Sequence, residues 1–465
     1  MKNKVSIDIS VKSFITALAV IFGLMVLSYV LTFIIPSGEY ARTINDAGNT
    51  IIDTEAGFSY VEGGLPFWKW ILSPVLVLAA PGNGTLIAII IFLLVIGGAF
   101  TCLDKSDILN YMLEGISHRY GSRRYKLMVV VTLIFMAMGA LVGSFEEVVP
   151  LVPIVVALAV SLGWDALTGM AMSLLAVGCG FASGVLNPFT VGVAQTLAGL
   201  PMFSGVWLRA LSFCLIFPLL LFFIRSHAKK IEKPLEETAA ALEFHHDKKM
   251  SRALLTFAVI MGIGILFILC STFISALQDF TMIAVALMFL IAGIVSPLMT
   301  GMKLNELLKH FVKGVMAIFP AVLMILMASS IRYTLEEAKI LDTILHGAVG
   351  AADSLPKWTV ILFIYLIVLG MNFFIGSGSA KAFMLMPLIV PMAQIFSISS
   401  QLTVVAFAFG DGFSNVIYPT NAALLIALGL AGISYTDWFR WAIKFQLANL
   451  ALTCCILLFG LAVGY

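Results

Sequence analysis

Four ionisable residues lie within or beside apolar stretches of membrane-crossing character: Glu146, Glu147, Lys381 and Asp411. Each such group costs about 2.5–3.5 kcal/mol at the centre of a membrane helix, so four standing alone approach ~10 kcal/mol. They must pair, take up protons or face water. A Glu147–Lys381 salt bridge tying two segments together is the structural reading. The functional reading is that they line a substrate cavity, where charges inside membranes usually work. Two adjacent carboxylates attract an ammonium or guanidinium group, and Lys381 can hold a carboxylate. That combination suits an amino acid, above all a cationic one. A dicarboxylate would be repelled by Glu146 and Glu147 unless they were protonated, and is the runner-up cargo. Asp411, in Phe-Gly-Asp-Gly-Phe, is a candidate for proton or sodium coupling, or simply a helix cap.

Uncharged polar residues recur in the same regions. Ser183-Gly-Val-Leu-Asn187-Pro188-Phe-Thr190 and Ser414-Asn415-Val-Ile-Tyr-Pro419-Thr420-Asn421 each interrupt an apolar segment. Unwound backbone at membrane depth survives only where it lines a cavity or is buried in protein. A pair of such breaks, one per half, points to a transporter's substrate site. The serines differ by 414 − 183 = 231 positions, an offset shared by Pro188/Pro419, Trp207/Trp438 and Arg209/Arg440. Over 183–209, six of 27 positions are identical at that offset, Val185/Val416 and Leu197/Leu428 completing the set. Ahead of each copy stands a polar tip: Gly143-Ser144-Phe-Glu146-Glu147 in the first half, Gly376-Ser377-Gly-Ser379-Ala-Lys381 in the second. Ser144, Ser377 and Ser379, with the break residues, offer hydroxyls, amides and free backbone groups that hold carboxylates or coordinate Na⁺. Tight helix packing in the membrane is the competing use of such small residues.

The elements that must position these groups are helices. The chain has 465 residues, 61% hydrophobic and 11% charged, with a mean hydropathy of +1.06. Its apolar runs are continuous rather than alternating, so it reads as an all-α polytopic membrane protein. A net charge of +2 carries no sign of a nucleic-acid partner. Six cysteines lack metal spacing, and His245-His246 reads as solvated linker, so no metal site is expected. The stretch 13–35 is too long for a signal peptide's core and is expected to remain as a first helix.

Lys2, Lys4 and Lys12 put the N-terminus in the cytoplasm. The first repeat, 1–224, holds helices at 13–35 and 85–103, a re-entrant hairpin 126–163, a broken helix 165–199 and a helix 207–224. Residues 67–80 read as a surface-lying segment. A cytoplasmic linker, 225–252, separates this half from a second repeat, 253–465. There helices 253–276, 281–299 and 314–331 precede a hairpin 358–398, a broken helix 401–431 and a helix 438–462. The two hairpin-plus-broken-helix units run in opposite senses, an inverted repeat whose interface is the expected site. Trp207 and Trp438 read as interfacial anchors, and Arg332 as a snorkelling residue.

Pro36-Ser-Gly-Glu-Tyr40, the tip ending Glu146-Glu147, Asn187-Pro188-Phe189 and Ala198-Gly-Leu-Pro201 resemble the YfcC/DcuC-type carriers of the ion transporter superfamily, over nearly the full length. The resemblance implies an elevator mechanism, in which a transport domain of hairpins and broken helices slides against a dimeric scaffold. It implies substrate binding at both tips and both breaks. It also implies cargo among four-carbon dicarboxylates or arginine and ornithine. Lys381 departs from the polar Ser, Asn or Thr of other superfamily carriers. Residues and resemblance together predict a secondary active transporter of the bacterial inner membrane, coupled to Na⁺ or H⁺ or working by exchange; the resemblance alone implies a homodimer. A channel would use similar breaks, but inverted broken helices favour alternating access. An intramembrane enzyme is disfavoured, because no His-Glu-x-x-His run or Gly-x-Ser-x-Gly context occurs.

Overall fold

Backbone polar groups in lipid must be satisfied within the segment, so the apolar runs become helices. The computed structural model describes residues 11–44, 50–53, 56–80, 84–143, 145–234, 246–271, 280–351 and 355–465. Among them, eight helices are long and apolar enough to cross a membrane. The expected linker falls partly outside them, as does Ser144.

The first helix spans Val11–Ile34 and the second Gly84–Lys105. Between them the segment at 67–80 is a pair of short helices, Phe67–Ile71 and Ser73–Leu76, closed by a tight turn at Val77–Ala79. The chain departs from pure helix here. Gly38–Tyr40 pairs antiparallel with Phe58–Tyr60, Gly38 opposite Tyr60, and Arg42–Ile44 pairs with Thr50–Ile52, Arg42 opposite Ile52. Aromatic and β-branched residues in these triplets favour extended backbone. Helices Ile108–Tyr120 and Leu341–Gly350 also occupy stretches that the sequence reads as loops. Leu304–Glu337 is one helix of 34 residues rather than the expected 314–331. Its start is fixed by Glu306, whose carboxylate accepts the Lys303 amide at 3.4 Å. Near its end Arg332 Nε donates to Glu336 at 2.7 Å, so the arginine rests on its own helix.

In the first half, Arg124–Val142 ends at Gly143. A tight turn at Glu146–Leu151 leads into Val152–Ser161. The two arms straddle the broken helix rather than packing chiefly on each other. Arg124–Val142 runs along Ala176–Ser183, while Val152–Ser161 covers Ala166–Met170. Backbones touch on the first of these faces, since a Cβ at Gly180 would sit 1.8 Å from the Met136 carbonyl oxygen. The second half also carries two arms and a broken helix. Lys357–Asn372 packs on Ser400–Gly412, and Gly378–Ile395 packs there and on Val193–Leu197 of the first half. Each half closes with a long helix, Val206–Ile231 and Tyr435–Ala462. The first overruns its expected end because Arg225, Lys229 and Lys230 ride on its last turns, where long side chains carry their charge outward.

Candidate functional site

Both apolar crossings break where the sequence places proline among small polar residues. Ala176–Ser183 stops at Gly184, and the helix resumes at Pro188–Gly192. Pro188 lacks an amide to donate, so a helix start is its natural position. Asn187 caps that start, its Oδ1 accepting the amides of Phe189 at 3.0 Å and Thr190 at 3.3 Å. In the second half, Ser400–Gly412 continues as a tight turn, Phe413–Val416, and resumes at Ala422–Ala431. There Asn421 is the cap, accepting the Leu424 amide at 3.1 Å. The caps are 421 − 187 = 234 positions apart while the prolines are 231 apart, so the offset of the prolines is not that of the capping residues.

Unwinding frees carbonyl groups, and the closing helices take them up. Arg209 Nη2 donates to the Val185 oxygen at 3.4 Å, and Trp438 Nε1 to the Val416 oxygen at 2.8 Å. Val185 and Val416 are 231 positions apart, as are the two prolines. Tyr435 Oη and Gln446 Nε2 each donate at 2.8 Å, to Ile417 and Phe413 oxygens. Trp438 and Arg209 are therefore fully buried. The interfacial-anchor reading fails for Trp438, because its indole proton belongs to the break. Trp207, about half exposed, remains at the surface.

The charged core lies where the second tip meets both breaks. Lys381 and Asp411 are both fully buried, with Nζ 2.5 Å from Oδ1. The ammonium also bonds Asn372 Oδ1. Asn372 Nδ2 lies 2.9 Å from the Asp411 carbonyl oxygen, 2.5 Å from Ser414 Oγ and 2.9 Å from Asn415 Oδ1. Asn421 Nδ2 reaches the same Asn415 oxygen at 3.2 Å. The structural salt bridge thus exists, but with Asp411 in place of Glu147. The tips do not join through it: Lys381 turns inward along its own half, where the arm ending at Asn372 packs on the broken helix carrying Asp411. Asn372, absent from the candidates drawn from sequence, is the hub.

Glu146 and Glu147 are half-buried on the first tip. Glu146 lies within electrostatic range of Glu147 and Asp411, and the tip's turn packs on Ala422–Ala431 of the other half. The second tip packs reciprocally on the first break. A Cβ at Gly378 would stand 2.4 Å from Thr190 Cγ2 and 2.8 Å from Asp411 Oδ2. Glycine is required there by this close approach. Three buried polar atoms of this region lack a protein partner: Asn187 Nδ2, Thr190 Oγ1 and Asp411 Oδ2. Ser183 is spent inside its helix, bonding the Cys179 oxygen at 2.8 Å. Ser414 likewise donates to Gly410 at 3.1 Å. Ser377 caps its helix weakly, accepting the Ala380 amide at 3.4 Å. Ser379 and Thr420 are half-buried. Among the described residues no cluster of His, Cys, Asp and Glu could hold a metal ion. With all four charged groups ionised, Lys381 and Asp411 cancel, and the two glutamates leave the site with a net charge of −2.

A family described as DcuC, C4-dicarboxylate anaerobic carrier, matches residues 14–462. An Escherichia coli (strain K12) protein named "Putative basic amino acid antiporter YfcC" is 31% identical over 379 residues, covering 77% of this chain and 74% of that protein. A Haemophilus influenzae protein is 23% identical over 96% of each chain. Among solved structures, the Alcanivorax borkumensis YdaH transporter aligns over 97% of this chain and 98% of its own, at 17% identity and a TM-score of 0.45. Neisseria gonorrhoeae MtrF, titled as illuminating a class of antimetabolite efflux pumps, aligns over 95% and 94%, at 16% identity and a TM-score of 0.47.

Proposed function

The chain belongs to the DcuC carrier family of multi-pass membrane transporters, and from that premise we propose that it exchanges basic amino acids, arginine and ornithine, across the bacterial cytoplasmic membrane. The observation that carries this reading is the internal neutralisation of Lys381 by Asp411. The only lysine among the candidate site residues has its charge matched within the fold, so the balance facing a substrate is that of Glu146 and Glu147. Such a site favours a cation and disfavours a dianion. The name of the E. coli relative agrees with it.

In this reading Glu146 and Glu147 receive the guanidinium or side-chain ammonium. Asp411 Oδ2 takes the α-ammonium, and Asn187 Nδ2 with Thr190 Oγ1 takes the α-carboxylate. Those three atoms are buried and otherwise unpartnered, and a buried polar atom left without a partner costs about 1–3 kcal/mol. Ser377, Ser379, Lys381, Ser414, Asn415, Thr420 and Asn421 shape and brace the site. Movement follows an elevator path, the hairpins and broken helices travelling together in a homodimer with a cytoplasmic N-terminus.

The test is counterflow in proteoliposomes loaded with ornithine, with labelled arginine or labelled succinate outside. Arginine enters, and Glu146→Gln or Glu147→Gln lowers its uptake at least tenfold at sub-saturating concentration, about 1.4 kcal/mol of lost attraction. Succinate uptake untouched by either variant would assign the family's named cargo instead and make the acidic tip structural.

A further inference from the structure

We propose that Lys381 is a tethered coupling cation: its ammonium fills the oxygen cradle of the second break, which a sodium ion would otherwise occupy, so exchange runs without sodium. This rests on the transporter reading but not on the identity of the cargo.

The cradle is made of hard oxygens. Asn372 Oδ1 and Asp411 Oδ1 touch the ammonium directly. Ser414 Oγ and Asn415 Oδ1 stand immediately behind, held by Asn372 Nδ2. One carboxylate, amide oxygens and a hydroxyl, with no sulfur or imidazole, is the donor set that hard cations prefer. The tether is a lysine with no exposed surface, anchored in the first turn of Gly378–Ile395.

The pair is not a requirement of the repeated architecture. The repeat offset of 231 carries Asp411 onto Gly180, and aligning Gly376-Ser377 with Gly143-Ser144, an offset of 233, carries Lys381 onto Val148. In the first half that space is closed by direct backbone packing at Gly180. Among the described residues the charged cradle is found in the second half, as a coupling device would be and a general fold brace would not. A cationic cargo also brings its own charge to the glutamates, so no second mobile cation is needed to balance the site.

The experiment measures thermal unfolding of the purified full-length protein in detergent without substrate, in sodium chloride against choline chloride at equal ionic strength. Wild type melts identically in both. Lys381→Ala, which empties the cradle and leaves its oxygens, melts several degrees higher in sodium, saturably with concentration. Lys381→Ala/Asp411→Asn loses that response. In parallel, wild-type counterflow runs at the same rate in choline as in sodium. Sodium dependence of wild type in either assay overturns the proposal. So does a Lys381→Ala protein that behaves alike in both salts, whether folded in both or aggregated in both. Because the melting assay contains no cargo, a failed arginine assay and a failed cation assay are separate results.

Discussion

At the scale of single residues, the site turns on a buried ion pair. Removing one member of such a pair strands the other charge and costs about 3–5 kcal/mol, whereas replacing both by apolar groups of similar size is often neutral. Lys381→Met in sodium-free buffer is therefore expected to lower the melting temperature sharply, and Asp411→Leu alone likewise. The double variant should melt near wild type while transporting nothing. A double-mutant cycle read by unfolding checks this; additive losses would deny the coupling. Both residues were visible in the sequence as charges at membrane depth, but their pairing was not. Whether Lys381 meets Glu147 or Asp411 depends on which side of the arm faces the broken helix, and composition does not record that. Asn372 is not legible in the sequence for a related reason. It is a single amide between Met371 and Phe373 in a largely apolar arm, and the three groups its Nδ2 meets all come from the broken helix across a tertiary contact, while its Oδ1 takes the Lys381 ammonium.

At the scale of elements, the two broken helices press against each other with no room to spare. A Cβ at Gly412 would lie 2.3 Å from Ala182 Cα, a backbone atom that cannot step aside. Gly412→Ala is expected to cost about 1–3 kcal/mol, read as lower thermal stability. Asn421→Ala should cost about 1 kcal/mol through the lost cap. Prolines and caps made the breaks legible; the long helix Leu304–Glu337 was not, because lysines at 309 and 313 read as a connection. A further cap, at Asp165 just ahead of the span Ala166–Leu197, links helix to helix. Asp165 accepts the Thr168 amide at 2.9 Å and bonds His227 Nε2 at 2.8 Å. Burial alone would raise its pKa, but the His227 bond and the Thr168 hydroxyl and amide outweigh it and hold the carboxyl below its ordinary value. A depressed folded pKa means stability that is complete above the unfolded value of about 4 and disappears as pH falls through the folded one. Asp165→Asn should therefore be less stable than wild type at pH 7, and the gap should close on acidification below about pH 4.

At the scale of the whole molecule, two sets of contacts between distant segments bear on sidedness. In one, Ser37 Oγ donates to the Ala338 oxygen at 2.7 Å, and Arg42 spans both Asp342 oxygens at 2.9 and 3.1 Å. Tyr40 Oη lies 3.0 Å from His346 Nδ1, while burial and the Asp342 charge push its phenol pKa up to about 12. In the other set, Arg124 Nη2 meets Glu232 at 3.0 Å, the Lys233 amide donates to Gly163 at 2.9 Å, and the His227 and Trp441 rings meet at 5.6 Å. The first set joins first-half to second-half segments that the charge pattern puts outside; the second ties the first half to residues 232–233 and, through His227 and Trp441, to the second half, on the side that pattern puts inside. The lysine and arginine bias that sets orientation acts during insertion rather than through contacts in the finished fold, so sidedness needs its own measurement. On a background lacking the six cysteines, Ser59→Cys and Lys229→Cys each present an exposed thiol. A membrane-impermeant maleimide applied to intact spheroplasts should label position 59 at once and position 229 only after permeabilisation. The reverse pattern would turn the molecule over, putting the N-terminus outside and the Arg42–Asp342 cluster in the cytoplasm.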